Sequence, residues 1–168
     1  MYFESEIIKI RKMESSDINE TYLSWLNDKE HMKFSNQKYF QHTKESALVY
    51  LEKFEESNNI FFGIFKKNDE MIGTLTAYYD IFNRNANLGI LISPNKKGRG
   101  YGKEVFKLTL NRLPDFINLH KISSGTCELN IGMLNIFKSS GMSHEYVVPK
   151  EFLYEGKYYD NIFFAKYI

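Results

Sequence analysis

The residues best suited to chemistry stand together in Ser93-Pro94-Asn95-Lys96-Lys97-Gly98-Arg99-Gly100-Tyr101-Gly102-Lys103-Glu104. Glycines at every second position, Gly98, Gly100 and Gly102, let consecutive backbone N–H groups turn toward one point with no side chain in the way. The run leads straight into a helix, whose first amides lack partners and whose dipole is positive at that end. Lys96, Lys97, Arg99 and Lys103 add charge, so the chemistry supported is capture of a phosphate or pyrophosphate. Spacing alone also suits a tight solvated turn. A dinucleotide-binding G-x-G-x-x-G needs another residue before its last glycine, and a P-loop needs a hydroxyl where Glu104 stands, so neither motif fits.

The rest of the chain narrows the choices. Lys and Arg total 22 against 21 Asp and Glu, for a formal charge of +1, so no global field draws the protein to nucleic acid or to an anionic membrane. Any anion must be caught locally. His31, His42, His120 and His144 have no partner at metal-ligand spacing, and no metal is expected. Cys127 is the only cysteine; it cannot form an internal disulfide and reads as a buried apolar thiol in a reducing, cytoplasmic compartment. The first 20 residues are interrupted by charges, and no apolar run reaches membrane-spanning length. The aromatic share of 16% mainly fills core, with a ring-lined substrate groove as the other use.

The elements that must position the glycine loop follow from periodicity. Ile7 to Met13 alternates apolar and charged residues as a half-buried strand, and a helix starting at Ser16-Asp17 carries Ile18, Tyr22, Trp25 and Leu26. Thr43 caps a second helix bearing Leu48, Leu51 and Phe54. Ile60–Phe65 and Met71–Tyr79 read as an antiparallel hairpin. Leu88–Ile92 is apolar throughout, as in a central strand covered on both faces, and Pro94 ends it. The helix Gly102–Leu113 puts Val105, Phe106, Thr109, Leu110 and Leu113 on one face. Lys121–Cys127 is a strand, and Asn130 caps a helix whose Ile131, Leu134 and Phe137 point inward before Gly141 stops it. Glu145–Pro149 and Asn161–Tyr167 form a last pair of strands joined through Tyr154-Glu155-Gly156. The expected fold class is mixed α/β in one domain, residues 1–168, rather than a doubly wound sheet.

Lys97-x-x-Gly100-x-Gly102 resembles the signature of the GNAT N-acetyltransferase superfamily, with Lys97 in place of the usual Arg or Gln. Asn130 through Gly141-Met142 is similar to the family's second stretch, an Asn, an amphipathic helix and a Gly-aromatic end, with Met142 in place of the ring. Tyr22 to Asp28 and Leu153 to Tyr158 resemble the subgroup acting on protein N-termini and bacterial amino sugars.

The resemblance implies a central, mostly antiparallel twisted sheet with splayed middle strands and about four helices. It implies direct transfer from acetyl-CoA to a small amine acceptor. By the same resemblance the backbone N–H of Leu91 or Ile92 polarises the thioester carbonyl, and Lys97, Gly98, Arg99, Gly100, Tyr101, Gly102 and Lys103 hold the cofactor at its pyrophosphate. Asn130 contacts the cofactor arm or is a plain helix cap. Phe137 lies beside the cofactor where many relatives carry a proton-donating Tyr, and Asn87 stands where many carry a basic Glu. Asp80 is therefore the first candidate base, with Glu128 and His120 after it, and the acceptor falls to Trp25, Asn27, His31 and Asp80. A nucleotide-linked amino sugar is the first acceptor class, followed by protein N-termini, aminoglycosides and polyamines; a CoA-binding module without catalysis is the other class. The aromatic tail is compatible with a homodimer.

Overall fold

The computed structural model describes residues 1–168 as one eight-stranded sheet in the order β1-β2-β3-β4-β5-β6-β8-β7. The strands are β1 (Tyr2–Glu4), β2 (Ile8–Lys12), β3 (Ile60–Lys66), β4 (Met71–Asp80), β5 (Asn85–Ile92), β6 (Lys121–Cys127), β7 (Ser143–Tyr154) and β8 (Lys157–Tyr167). Four α-helices cover it: α1 (Glu20–Asn27), α2 (Lys44–Glu55), α3 (Tyr101–Arg112) and α4 (Ile131–Ser139).

Strand β3 shows why the sheet needs both layers. Its residues Ile60 to Phe65 are all buried. Ile60, Phe62 and Ile64 enter the larger core beneath α3 and α4, while Phe61 enters a second core made with Tyr22, Trp25, Leu26, Leu51 and Phe54 of α1 and α2. Period-2 alternation in a strand apolar on both faces therefore feeds two cores on opposite sides.

Every strand pair is antiparallel except β5–β6, which is parallel and pairs only from Asn85–Lys121 to Asn87–Ser123. Beyond that point the two strands diverge. This splay corrects one expectation: Leu88 is buried, but Gly89 to Ile92 are only half-buried, because β6 has left their side.

Other boundaries also move. Helix α1 starts at Glu20, capped by Asn19 accepting from the Tyr22 N–H, rather than at Ser16-Asp17. Residues Ser15–Asp17 form one 3-10 turn, because the Asp17 carboxylate takes both Arg11 guanidinium nitrogens at 2.7 and 2.8 Å and the Glu14 N–H at 2.8 Å. Ile131 does not point inward; it is 59% exposed, while Leu134 and Phe137 are buried. The last two strands are longer than their hydrophobic runs, meeting at Tyr154–Lys157 with register shifts that accommodate Pro149 and Lys150.

Candidate active site

The splay leaves an open strand edge whose polar groups can be assigned from register. Gly73 faces Ile92 and Thr74 faces Leu91, and the Ser93 N–H donates to the Ile72 carbonyl at 2.9 Å. Alternate residues of an antiparallel pair exchange hydrogen bonds, so Leu91 is bonded to Thr74, while Ile90 and Ile92 aim their N–H and C=O toward β6. The same parity sends the Leu88 carbonyl toward β6, where Ser124 Oγ donates to it at 2.6 Å. No strand reaches Ile90 and Ile92. Of the two residues expected to offer an N–H, Leu91 is thus committed to β4, and the open positions are Ile92 and Ile90.

The glycine loop lies past the end of that edge. Gly98 at φ 72° and Gly100 at φ 84° occupy the left-handed region, where a side chain is strained. Gly100 caps α3 with no side-chain hydrogen bond, leaving the first-turn amides without a side-chain partner. Gly102 has a different reason: a Cβ there falls 2.7 Å from Ile136 Cδ1, so it permits close packing of α3 on α4. Lys96 is tied to Glu70 at 2.7 Å, and Lys66 holds the same carboxylate at 2.7 Å. These two cations hold the Glu70 carboxyl down to about 2.

One cavity of about 1050 Å³ joins the loop, the open edge and the space below α2. Leu91, Ile92, Lys97, Gly98, Gly100, Tyr101, Gly102, Lys103 and Asn130, the expected donor contacts, line it beside the loop, together with Met133 and Ile136 of α4. Asn130 is also a cap, accepting from the Met133 N–H at 3.3 Å and donating to Thr126 Oγ1 at 3.0 Å. Arg99 lies outside the lining, exposed on the loop's outer side. Phe137 is not at the cofactor cavity: it is 0% exposed, packed between Phe106 and Phe164.

The part expected to take the acceptor differs more from the sequence reading. Of the expected residues only His31 lines it. Trp25 is a core residue against Tyr22, because its helix turns that face into the second core. Asn27 clamps the backbone, donating to the His42 carbonyl and accepting from its N–H, both at 2.8 Å. Asp80 sits in the β4–β5 turn, holding the Phe82 and Asn83 N–H groups at 2.9 Å, at the end of β5 opposite Ile92. That turn role, with Asn83 donating to it, lowers its carboxyl and removes it as a base beside the reaction centre. Glu128 accepts from the Asp160 N–H at 3.0 Å, and His120 packs on Tyr167. Burial pushes the Cys127 thiol up, away from the thiolate form.

The acceptor lining not anticipated from sequence comes from α2 and β4. Tyr50 and Tyr78 share a hydroxyl hydrogen bond of 2.8 Å, and Lys53, Thr74 and Thr76 stand nearby on the lining. Tyr50 has the same spacing as a core residue of α2, and it contacts Phe54 and Phe61, so no one-dimensional signal separates the two roles. Burial pushes the Tyr22 and Tyr50 hydroxyls up, so both stay protonated donors. The whole lining contains Lys33, Lys53, Lys96, Lys97 and Lys103 and the histidines His31 and His42, and no Asp or Glu.

An open strand edge beside a helix N-terminus is thus joined by one cavity to a side-chain-lined chamber. Residues 8–143 match the family model of the acetyltransferase (GNAT) domain. The chain belongs to that family and is an acetyltransferase, an enzyme class whose acetyl donor is acetyl-CoA. It is similar to the probable N-acetyltransferase YjcK of Bacillus subtilis, 25% identical over 115 residues, which cover 67% of this chain and 64% of that protein. The fold is shared with spermidine N-acetyltransferase of Vibrio cholerae in complex with CoA and spermine, at TM-score 0.87 and 19% identity over 95% of each chain. It is shared too with the microcin C7 self-immunity acetyltransferase MccE in complex with acetyl-CoA and AMP, at TM-score 0.84 and 16% identity over 98% of this chain and 94% of that one.

Proposed function

We propose that the protein, acting as a single domain in the cytoplasm, acetylates the amine of a small phosphate-bearing acceptor, in first place a nucleotide-linked amino sugar. The observation that carries this reading is the cavity's charge: five lysines and no carboxylate line it. A polyamine would bring several positive charges beside the unpaired Lys53, with no carboxylate on the lining to receive them. An amino sugar phosphate reverses the sign. In the donor half, Lys97, Lys103 and the loop amides suit the phosphates of acetyl-CoA. In the acceptor half Lys53 forms no ion pair and is free for an acceptor phosphate, whereas Lys33 is held by Glu30 at 2.5 Å. The Tyr50–Tyr78 hydroxyl pair and the threonines of β4 offer hydrogen bonds to sugar hydroxyls. The AMP bound by MccE is a phosphate-bearing group held by a protein of the same fold, which favours the same acceptor class.

Bound acetyl-CoA supplies a thioester carbonyl. The open Ile92 N–H is in place to polarise it, and the Ile90 and Ile92 edge to align the donor arm as an added strand.

Calorimetric titration with acetyl-CoA tests the donor half. The parent is expected to bind with micromolar strength, about −8 kcal/mol. Gly100→Glu, which puts an anion and a strained side chain into the nest, should not bind. A rate panel of a nucleotide-linked amino sugar, glucosamine 6-phosphate and spermidine tests the acceptor half. Preference for spermidine would overturn the acceptor class, and binding without turnover of any amine would leave a CoA-binding module.

A further inference from the structure

The cavity holds no carboxylate, yet an amine attacking a thioester must first lose its ammonium proton. The lining groups that could take it are few. Lys ammonium groups accept no hydrogen bond, and the Tyr22 and Tyr50 hydroxyls are held protonated by burial. His42 is less well placed: its Nε2 donates to the Gln37 carbonyl at 3.1 Å, Asn27 clamps its backbone, and no contact ties its remaining Nδ1 lone pair to the Ile92 edge.

His31 differs on each count. It follows α1 in a turn fixed by its own N–H donating to Asp28 Oδ1 at 2.9 Å. Its ring lines the cavity; Nε2 is buried, and Nδ1, which no hydrogen bond occupies, is the accessible nitrogen that would meet the acceptor. The ring faces the backbone of Ile92, the open-edge residue beside which the thioester would lie. By ladder parity the Ile92 carbonyl is turned away from β4, free to accept from a protonated imidazole.

We propose that His31 is the catalytic base that takes the proton from the acceptor ammonium; this rests on the acetyl-transfer reading above. The ammonium N–H bond breaks and its proton passes to the imidazole, leaving a lone pair on nitrogen. That pair forms the C–N bond at the thioester carbonyl carbon, the C–S bond breaks, and its electron pair leaves on sulfur. The second amine proton goes to the thiolate, and the imidazolium returns its proton to water. The charged groups facing the ring are Lys97 of the glycine loop and Asp28 of its own turn. Burial first, then Lys97, lowers the ring's protonation below the ordinary 6.5, which keeps it neutral and able to accept at about pH 7.

The test compares the parent with His31→Gln on two amines, glucosamine 6-phosphate, which is an ammonium ion at neutral pH, and hydroxylamine, which is already neutral. With glucosamine 6-phosphate, kcat/KM at neutral pH should fall about 10²- to 10³-fold, and its acid limb should move up from the range of the ring to that of the acceptor ammonium. The hydroxylamine rate and the calorimetric affinity for acetyl-CoA should stay within twofold. An equal loss with both amines, or an acid limb that stays at the parent's pH in His31→Gln, overturns the proposal. Nitrogen-15 NMR of the parent gives a reading independent of any acceptor: a His31 ring protonated at pH 7 overturns it, and a neutral ring supports it. A parent that binds no acetyl-CoA brings down the transfer reading and His31 together, whereas a binding, active parent with an unaffected variant brings down His31 alone.

Discussion

The donor and acceptor halves of the cavity are built on different principles. The donor half is mostly backbone: the Ile90 and Ile92 edge, the left-handed Gly98 and Gly100, and the uncapped start of α3, all within one short stretch. The acceptor half is mostly side chain, gathered from the turn after α1, from α2 and from β4. A backbone site tolerates many side-chain changes and can serve the same donor in distant relatives. A side-chain site changes its acceptor when a few residues change, which is why fold likeness alone says little about the amine.

The sharpest way to break this contrast is at the edge itself. Ile92→Pro removes an N–H that β4 does not use, so the fold should survive while kcat/KM drops about 10²- to 10³-fold, as for loss of an oxyanion donor. Leu91→Pro removes an N–H that β4 does use and should lower stability by about 1–3 kcal/mol in denaturant melts. Equal behaviour of the two prolines would mean the ladder parity is wrong.

A smaller effect is expected in the acceptor half. Lys53→Glu should cost about tenfold, roughly 1.4 kcal/mol, in kcat/KM for a phosphate-bearing acceptor, with the acetyl-CoA affinity unchanged. An equal loss in acetyl-CoA affinity would join the halves that this reading separates.

Phe137→Tyr tests the position where relatives carry an acid. Because Phe137 is sealed between Phe106 and Phe164, the added hydroxyl should cost about 1–3 kcal/mol of stability and raise no rate. A gain in kcat would place its ring edge at the departing sulfur after all.

The smallest effect concerns the Glu70 tether of Lys96. A carboxyl held at about 2 in the folded protein, against an ordinary value of 4.5, stabilises the fold fully above about pH 4.5 and loses that contribution as pH falls through 2. The difference in denaturant stability between the parent and Glu70→Gln should therefore be flat at neutral pH and shrink toward pH 2.

What the sequence determined by itself was local. The glycine spacing, the Thr43 and Asn130 caps, the Ile60–Tyr79 hairpin and the amphipathic α3 are set by neighbours a few residues apart, and each is found as the pattern indicates. The family signature, made of the same local features, was legible for that reason.

Only the tertiary structure decided the rest. Asp80 reads as a groove carboxylate until the register of β4 and β5 puts it at the far end of the strand, and Trp25 and Asn27 read as acceptor contacts until packing turns them inward. The choice of Ile92 over Leu91 depends on hydrogen-bond parity across β4, and the assembly of His31, Tyr50, Tyr78 and Lys53 around one cavity depends on contacts between segments far apart in the chain. Periodicity says which face of an element is apolar. It carries no information on which other element that face will meet, and the acceptor half is made entirely of such meetings.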